Sequence, residues 1–122
     1  MAVTARSLIA DNLGVEETNE FENREANDID TADKIIARND PARLALLIVN
    51  QSDNQLNLRP GLTATTSTGF VLPGNGDTLL VTWRDDLHMV TREWHGIAAG
   101  ANSACYVLEV TVAGVQPIMG TT

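Results

Sequence analysis

The sequence is short of cysteine, lysine, aromatic residues and long apolar runs, and each shortage excludes a class of protein. Cys105 is the single cysteine among 122 residues. Neither an intramolecular disulfide nor a cysteine-based zinc site can therefore form within one chain. Lys34 is the single lysine; with seven arginines it faces sixteen acidic residues, for a net charge of −8. A non-specific DNA or RNA binder displaces counterions with cationic surface, and a chain of this charge repels phosphate. The apolar runs fall well short of the ~20 residues that a membrane-spanning helix needs, so no membrane helix is expected. Met1-Ala2-Val3-Thr4-Ala5-Arg6 lacks a cationic stretch leading into an apolar one and does not read as a secretory signal. The aromatics are Phe21, Phe70, Trp83, Trp94 and Tyr106. The length suits one domain.

The acidity that is present is unevenly placed. Residues 1–40 hold ten acids and four bases, net −6, and residues 41–122 hold six acids and four bases, net −2. Between Glu16 and Asp30 charge is dense and apolar residues are sparse, a composition that buries too little surface to offset backbone ordering. Residues 1–31 are therefore expected to form an acidic N-terminal arm that is disordered alone or ordered against a partner. A solvated helix is the alternative, since Glu16, Glu17 and Glu20 stand near Arg24 at helical spacing. Leu8, Ile9, Leu13 and Val15 form a short apolar anchor ahead of the acidic spacer, and Phe21 lies within it. An anchor on a tether is a common means of fastening one protein to another, and these five residues are candidate partner contacts. The competing reading is that Leu8 and Ile9 close a gap in their own core.

Residues 32–113 read as β throughout. Lys34 to Arg38 is a short apolar stretch closed by Asn39-Asp40-Pro41, where Pro41 enforces a turn. Arg43 to Val49 is a continuous apolar run, expected as a strand buried on both faces. Residues 50–54 form a polar turn cluster. Gln55 to Arg59 alternates with the period of a half-buried strand, and Pro60-Gly61 turns the chain. The Thr-rich residues 63–68 suit an edge or solvent-facing strand. Short strands are expected at residues 69–72, 77–83, 87–90 and 104–112, with turns at Pro73-Gly74-Asn75-Gly76, Arg84-Asp85-Asp86 and residues 100–103. Residues 114–122 read as a C-terminal tail. Seven or eight short strands with turns at about 8–12-residue spacing specify an all-β fold, an antiparallel β-sandwich or jelly-roll-like barrel with an extended N-terminal arm.

Chemistry-bearing residues are few. Asp85, Asp86, His88, Glu93 and His95 are types that bind divalent metals or share acid–base work, but surface Asp in an Arg-Asp-Asp turn is ordinary turn chemistry. No serine stands in a nucleophile turn, and Gly74-Asn75-Gly76 leads into no helix that could make a phosphate loop. Cys105, mid-strand, reads as a buried inert thiol. The chain is read as non-enzymatic, without cofactor or metal. Trp83, at the end of an apolar strand, is expected in the core, whereas Trp94, between Glu93 and His95, is the better interface anchor. Arg43 and Arg92 are candidate partner contacts because the guanidinium fork suits interface ion pairs.

The stretch Ile35 to Asp53 resembles a pattern in small structural proteins of tailed bacteriophages: a short strand, an Asn-Pro-like stop, an Arg-led apolar strand and an Asn-rich turn. Gly69-Phe70-Val71-Leu72-Pro73-Gly74, the region from Leu87 to Ala99 and Val107-Leu108-Glu109-Val110 are similar to the same group. Asp40, set between Asn39 and Pro41, departs from the pattern. The group includes capsid decoration (cement) proteins. The resemblance implies a virion structural protein on the capsid exterior, made in the host cytoplasm. It would stabilise the shell of the major capsid protein, as a homo-oligomer and in trimeric form by preference. The alternative is a virion or tail recognition module that binds a carbohydrate or host receptor through Trp94.

Overall fold

The computed structural model describes Ala5, Leu8, Asp11, residues 14–24 and residues 28–115. Among the described residues, nine strands follow in order: β1 Val15–Glu22, β2 Asp28–Ile29, β3 Lys34–Ala37, β4 Arg43–Asn50, β5 Leu56–Pro60, β6 Phe70–Leu72, β7 Thr78–Thr82, β8 Trp94–Ala98 and β9 Ser103–Val115. Between β7 and β8 lie one α-helical turn, α1 (Trp83–Asp86), and a 3₁₀ turn, Leu87–Thr91.

All strand pairs are antiparallel. The first sheet runs β1-β9-β4-β7, with β2 also paired to β9, and the second runs β3-β8-β5-β6. From β2 onward every connection crosses between the sheets except β5 to β6. If β1 and β2 are taken as two parts of one edge strand, this is the eight-strand, double Greek key order of a jelly roll. The expected all-β sandwich is therefore the fold.

The core lies between the sheets. Leu46, Ile48, Val81 and Val107 come from the first sheet, and Ile36, Leu56, Leu58 and Trp94 from the second. Gly96 lets the sheets approach: a Cβ there would meet Ile36, Leu58 and Ile29 side chains at 3.2–3.4 Å. Alternation along β4 and β9 buries Leu46, Ile48 and Asn50, and Cys105, Val107, Glu109 and Thr111. The other face of β4 and β9, with Leu47, Val49, Tyr106, Leu108 and Val110, is half-buried. The run Arg43 to Val49 is thus buried on one face, not on both. A bulge shifts the β4–β9 register between Arg43 and Ala45. The extra residue returns Arg43 to the inner face, where it is 2% exposed.

Several expectations change. Residues 15–22 and 28–29 are strands of the first sheet, so the β-domain begins well before residue 32. Ile29 is fully buried in the core. The acidic run is accommodated because an edge strand hydrogen-bonds on one side and keeps its carboxylates in water. Residues 63–68 form a loop, not a strand, and residues 87–90 form the 3₁₀ turn. Strand β9 extends to Val115, and residues 116–122 lie outside the described residues.

Candidate functional site

The two sheets differ in what covers their outer faces. Over the second sheet, residues 61–69 form a strap. The Asn57 amide donates to Thr68 O at 3.1 Å, Arg59 Nη1 to Thr63 O at 3.2 Å, and Gly61 N to Glu93 O at 2.6 Å. Ala64, at 2% exposure, is the strap's buried side chain. The strap explains why Asn57, His95 and Ile97, on the outward side of their strands, are buried. It rejoins β6 through Gly69 at φ +84, where a Cβ would strike Leu58 O at 2.2 Å.

His95 fastens this strap. Its Nδ1 is 3.0 Å from Asp33 Oδ2, and its Nε2 is 2.8 Å from Glu93 Oε1. Asp33 Oδ1 in turn accepts the Ala64 amide at 2.7 Å. Burial by itself lowers the His95 pKa. Hydrogen bonds to Asp33 and Glu93, reinforced by their charges, outweigh burial and raise it above its ordinary 6.5. Both ring nitrogens are engaged by carboxylates, so the cluster clamps structure rather than offering a base or a ligand atom. Asp85 and Asp86 stand elsewhere and serve α1: Thr82 Oγ1 accepts from Asp85 N at 3.3 Å, and Asp86 Oδ2 accepts from Thr82 N at 2.9 Å. His88 is exposed on the 3₁₀ turn. The five-residue cluster read from sequence is therefore divided in space, and its His95–Glu93 half gains Asp33. Among the described residues, no group of three or more His, Cys, Asp or Glu could hold a metal ion.

Arg43 and Glu109 form the second charged cluster. Arg43 Nε donates to Glu109 Oε1 at 2.7 Å, and Nη1 donates to Val90 O and Arg92 O at 2.9 and 3.1 Å. Nη2 donates to Arg38 O. Asn23 Nδ2 supplies Glu109 Oε2 at 2.9 Å and Ile36 O at 2.8 Å. One buried ion pair, together with Asn23, thus joins β3, β4, β9 and the end of the 3₁₀ turn. Above it opens a groove of about 330 Å³ whose walls include Phe21, Arg24, Arg38 and Asp40.

The outer face of the first sheet is different: no strap crosses it among the described residues. The strand register sets side chains there in ranks. Leu80, Leu47, Leu108 and Glu22 form one rank; Thr82, Ala45, Val110 and Glu20 form the next; Thr78, Val49 and Tyr106 form a third. Leu80 is 58% exposed, and Glu20 and Glu22 are exposed along the β1 edge. Near the β7 end stand exposed Trp83, with the Arg84 guanidinium 5.6 Å from its ring centroid, and Leu87.

The expected contact residues separate accordingly. Leu8, Phe21 and Arg92 are exposed, and Val15 begins β1 opposite Val115. Ile9 and Leu13 lie outside the described residues. Two expectations are corrected. Arg43 is consumed by its internal network, and Trp94, with no exposed surface, packs in the core and donates Nε1–H to Met89 O at 3.1 Å. Trp83, expected in the core, is instead exposed, because α1 begins at that residue and breaks the inward alternation of β7. Cys105 is buried, and burial pushes its thiol up to about 12. Comparison with protein-family models, curated proteins and solved structures returned no match.

Proposed function

We propose that this chain is a non-enzymatic virion structural protein, a decoration protein that binds the major capsid protein on the outside of a tailed-phage shell. The observation that carries this reading is the asymmetry of the sandwich. One face is sealed by the chain's own strap, while the other presents an apolar surface rimmed with carboxylate, the composition of an assembly component. The charged clusters support the same reading, because Arg43–Glu109 and Asp33–His95–Glu93 are spent on holding strands and strap together. Residues 1–13, with Leu8, Ile9 and Leu13, are the proposed anchor on the shell.

The test is co-sedimentation with shells assembled from the major capsid protein of the same phage. Removing residues 1–31 would also remove β1 and the core residue Ile29, so the informative truncation is residues 1–13. The full chain is expected to pellet with shells, and the truncated chain to stay in solution while keeping the β-rich circular dichroism of the full chain. Equal binding by both would overturn the anchor. A carbohydrate or receptor module built on Trp94 has no accessible ring on which to stack a ligand. Glycan binding by the free protein, abolished by Trp83→Ala, would favour that alternative instead.

A further inference from the structure

The strap over the second sheet is lightly held. Of residues 61–69 only Ala64 is buried, and the rest are half-buried or exposed. The segment carries no titratable residue of its own. Gly61 and Gly69, both at positive φ, stand at its two ends. Hydrogen bonds tie it to the sheet through Asn57, Arg59 and the Glu93 carbonyl, and through Ala64 N–H, which donates to Asp33 Oδ1. Only the Asp33 tie leads to a group that titrates near neutrality. Asp33 Oδ2 lies on His95 Nδ1, and Glu93 Oε1 lies on His95 Nε2.

A neutral imidazole has one N–H and one lone pair, whereas both partners of this ring are acceptors. Only the doubly protonated ring satisfies the two contacts together. Loss of one proton sets a lone pair against one carboxylate and leaves the other on a neutral donor, in place of a charge-assisted bond. Whichever proton stays, Asp33 is held less firmly, and Asp33 is where Ala64 is fastened.

We propose that His95 is a proton-operated latch: the doubly protonated ring, bridging Asp33 and Glu93, keeps the strap closed over the second sheet, and loss of its proton lets the strap open while both sheets stay folded. The inference is independent of the virion reading. Opening would uncover Asn57 and Ile97, which are 3% and 9% exposed with the strap in place.

The surroundings of the ring set the sense of the switch. Among the described residues, Asp33 faces it from the turn before β3, and Glu93 from just before β8. On β5, Arg59 stands opposite His95 in the register and sends Nη1 to Thr63 O. On β3 the opposite residue is Ile35, and the adjacent Lys34 turns Nζ to Asp28 O at 2.9 Å. Burial disfavours the imidazolium, and the two carboxylates outweigh it. The closed strap therefore binds the proton more tightly than the open one, so the latch closes toward acid and loosens as pH rises through the His95 titration.

Native-state hydrogen exchange of the full chain, read by NMR beside a titration of the His95 ring, tests the proposal. The Ala64 amide reports the latch and the Leu46 amide reports the core. Corrected for the intrinsic rate at each pH, Ala64 protection is expected to fall several-fold from about pH 6 to about pH 8. The fall should share the midpoint of the ring titration and proceed through an opening that low urea does not accelerate. Leu46 is expected to exchange by the urea-sensitive global unfolding. Glu93→Gln supplies an amide that can donate to the lone pair of the neutral ring while Nδ1–H stays on Asp33, so Ala64 is expected to remain protected at the upper pH. His95→Gln, with no group to titrate, is expected to give Ala64 protection that is flat across the range. Ala64 exchange that follows Leu46, that does not change with pH, or that keeps its pH dependence in either variant would overturn the latch.

Discussion

Arg43 shows how much one residue can organise. Its guanidinium serves the Glu109 carboxylate on β9, the Arg38 carbonyl after β3, and the Val90 and Arg92 carbonyls at the end of the 3₁₀ turn. Arg43→Leu is expected to destabilise the protein by about 3–5 kcal/mol, because Glu109 would remain buried without its cation. Pairing it with Glu109→Leu is expected to recover a substantial part. Urea denaturation of both variants checks this. His95 gives a pH signature. Its pKa is raised on folding, so its stabilising contribution is complete below the unfolded value near 6.5 and declines as pH rises through the folded value. The urea midpoint is therefore expected to fall from about pH 6 to about pH 8, and His95→Gln to flatten that slope. The Cys105 thiol, with its pKa near 12, is expected to resist alkylation at mildly alkaline pH until the chain is unfolded in urea, as mass spectrometry would show.

At the scale of elements, β1 and the strap share a lesson. Both are polar in composition, and both are ordered by what they lie against. The acidic sequence of β1 persists because its backbone pairs with β9 and its carboxylates point to water. The strap residues carry few apolar groups of their own, yet they cover Ile97 and Asn57 through hydrogen bonds to Asp33, Arg59 and Glu93. Gly69 is the strap's constraint, since it combines positive φ with a contact that no side chain tolerates. Gly69→Ala is expected to cost about 1–3 kcal/mol and to raise amide exchange at Ala64 more than at Leu46 in the core. Hydrogen exchange read by NMR distinguishes this local loosening from global destabilisation.

At the scale of the whole molecule, a strap covers the outer face of the second sheet, and among the described residues none crosses that of the first. A domain of this size buries a limited fraction of the surface its unfolded chain exposes, so the proposed binding to a shell would add noticeably to its stability. Under the decoration reading, the chain is expected to melt at a higher temperature on shells than free in solution. Differential scanning calorimetry of the free and shell-bound chain measures the difference.

The sequence by itself determined the all-β class, most strand positions and the inert buried thiol. These follow from side-chain alternation, from turn residues such as Pro41, Pro73 and Gly74, and from apolar runs, all of which are local in the chain. It also established that the acidity is concentrated in residues 1–40. Only the tertiary structure decided that residues 15–22 are an edge strand and that Trp94 faces inward while Trp83 faces out. It also joined Asp33 to His95 across the β3–β8 pairing. The reason is physical: a bulge, a helical turn or an edge pairing changes which face a side chain occupies, and a hydrogen bond across 62 residues leaves no periodic mark. That one outer face has a strap could not be read from alternation. Both faces of β9 are rich in apolar residues, and only the strap over the second sheet reveals which sheet keeps an outer face without a strap among the described residues.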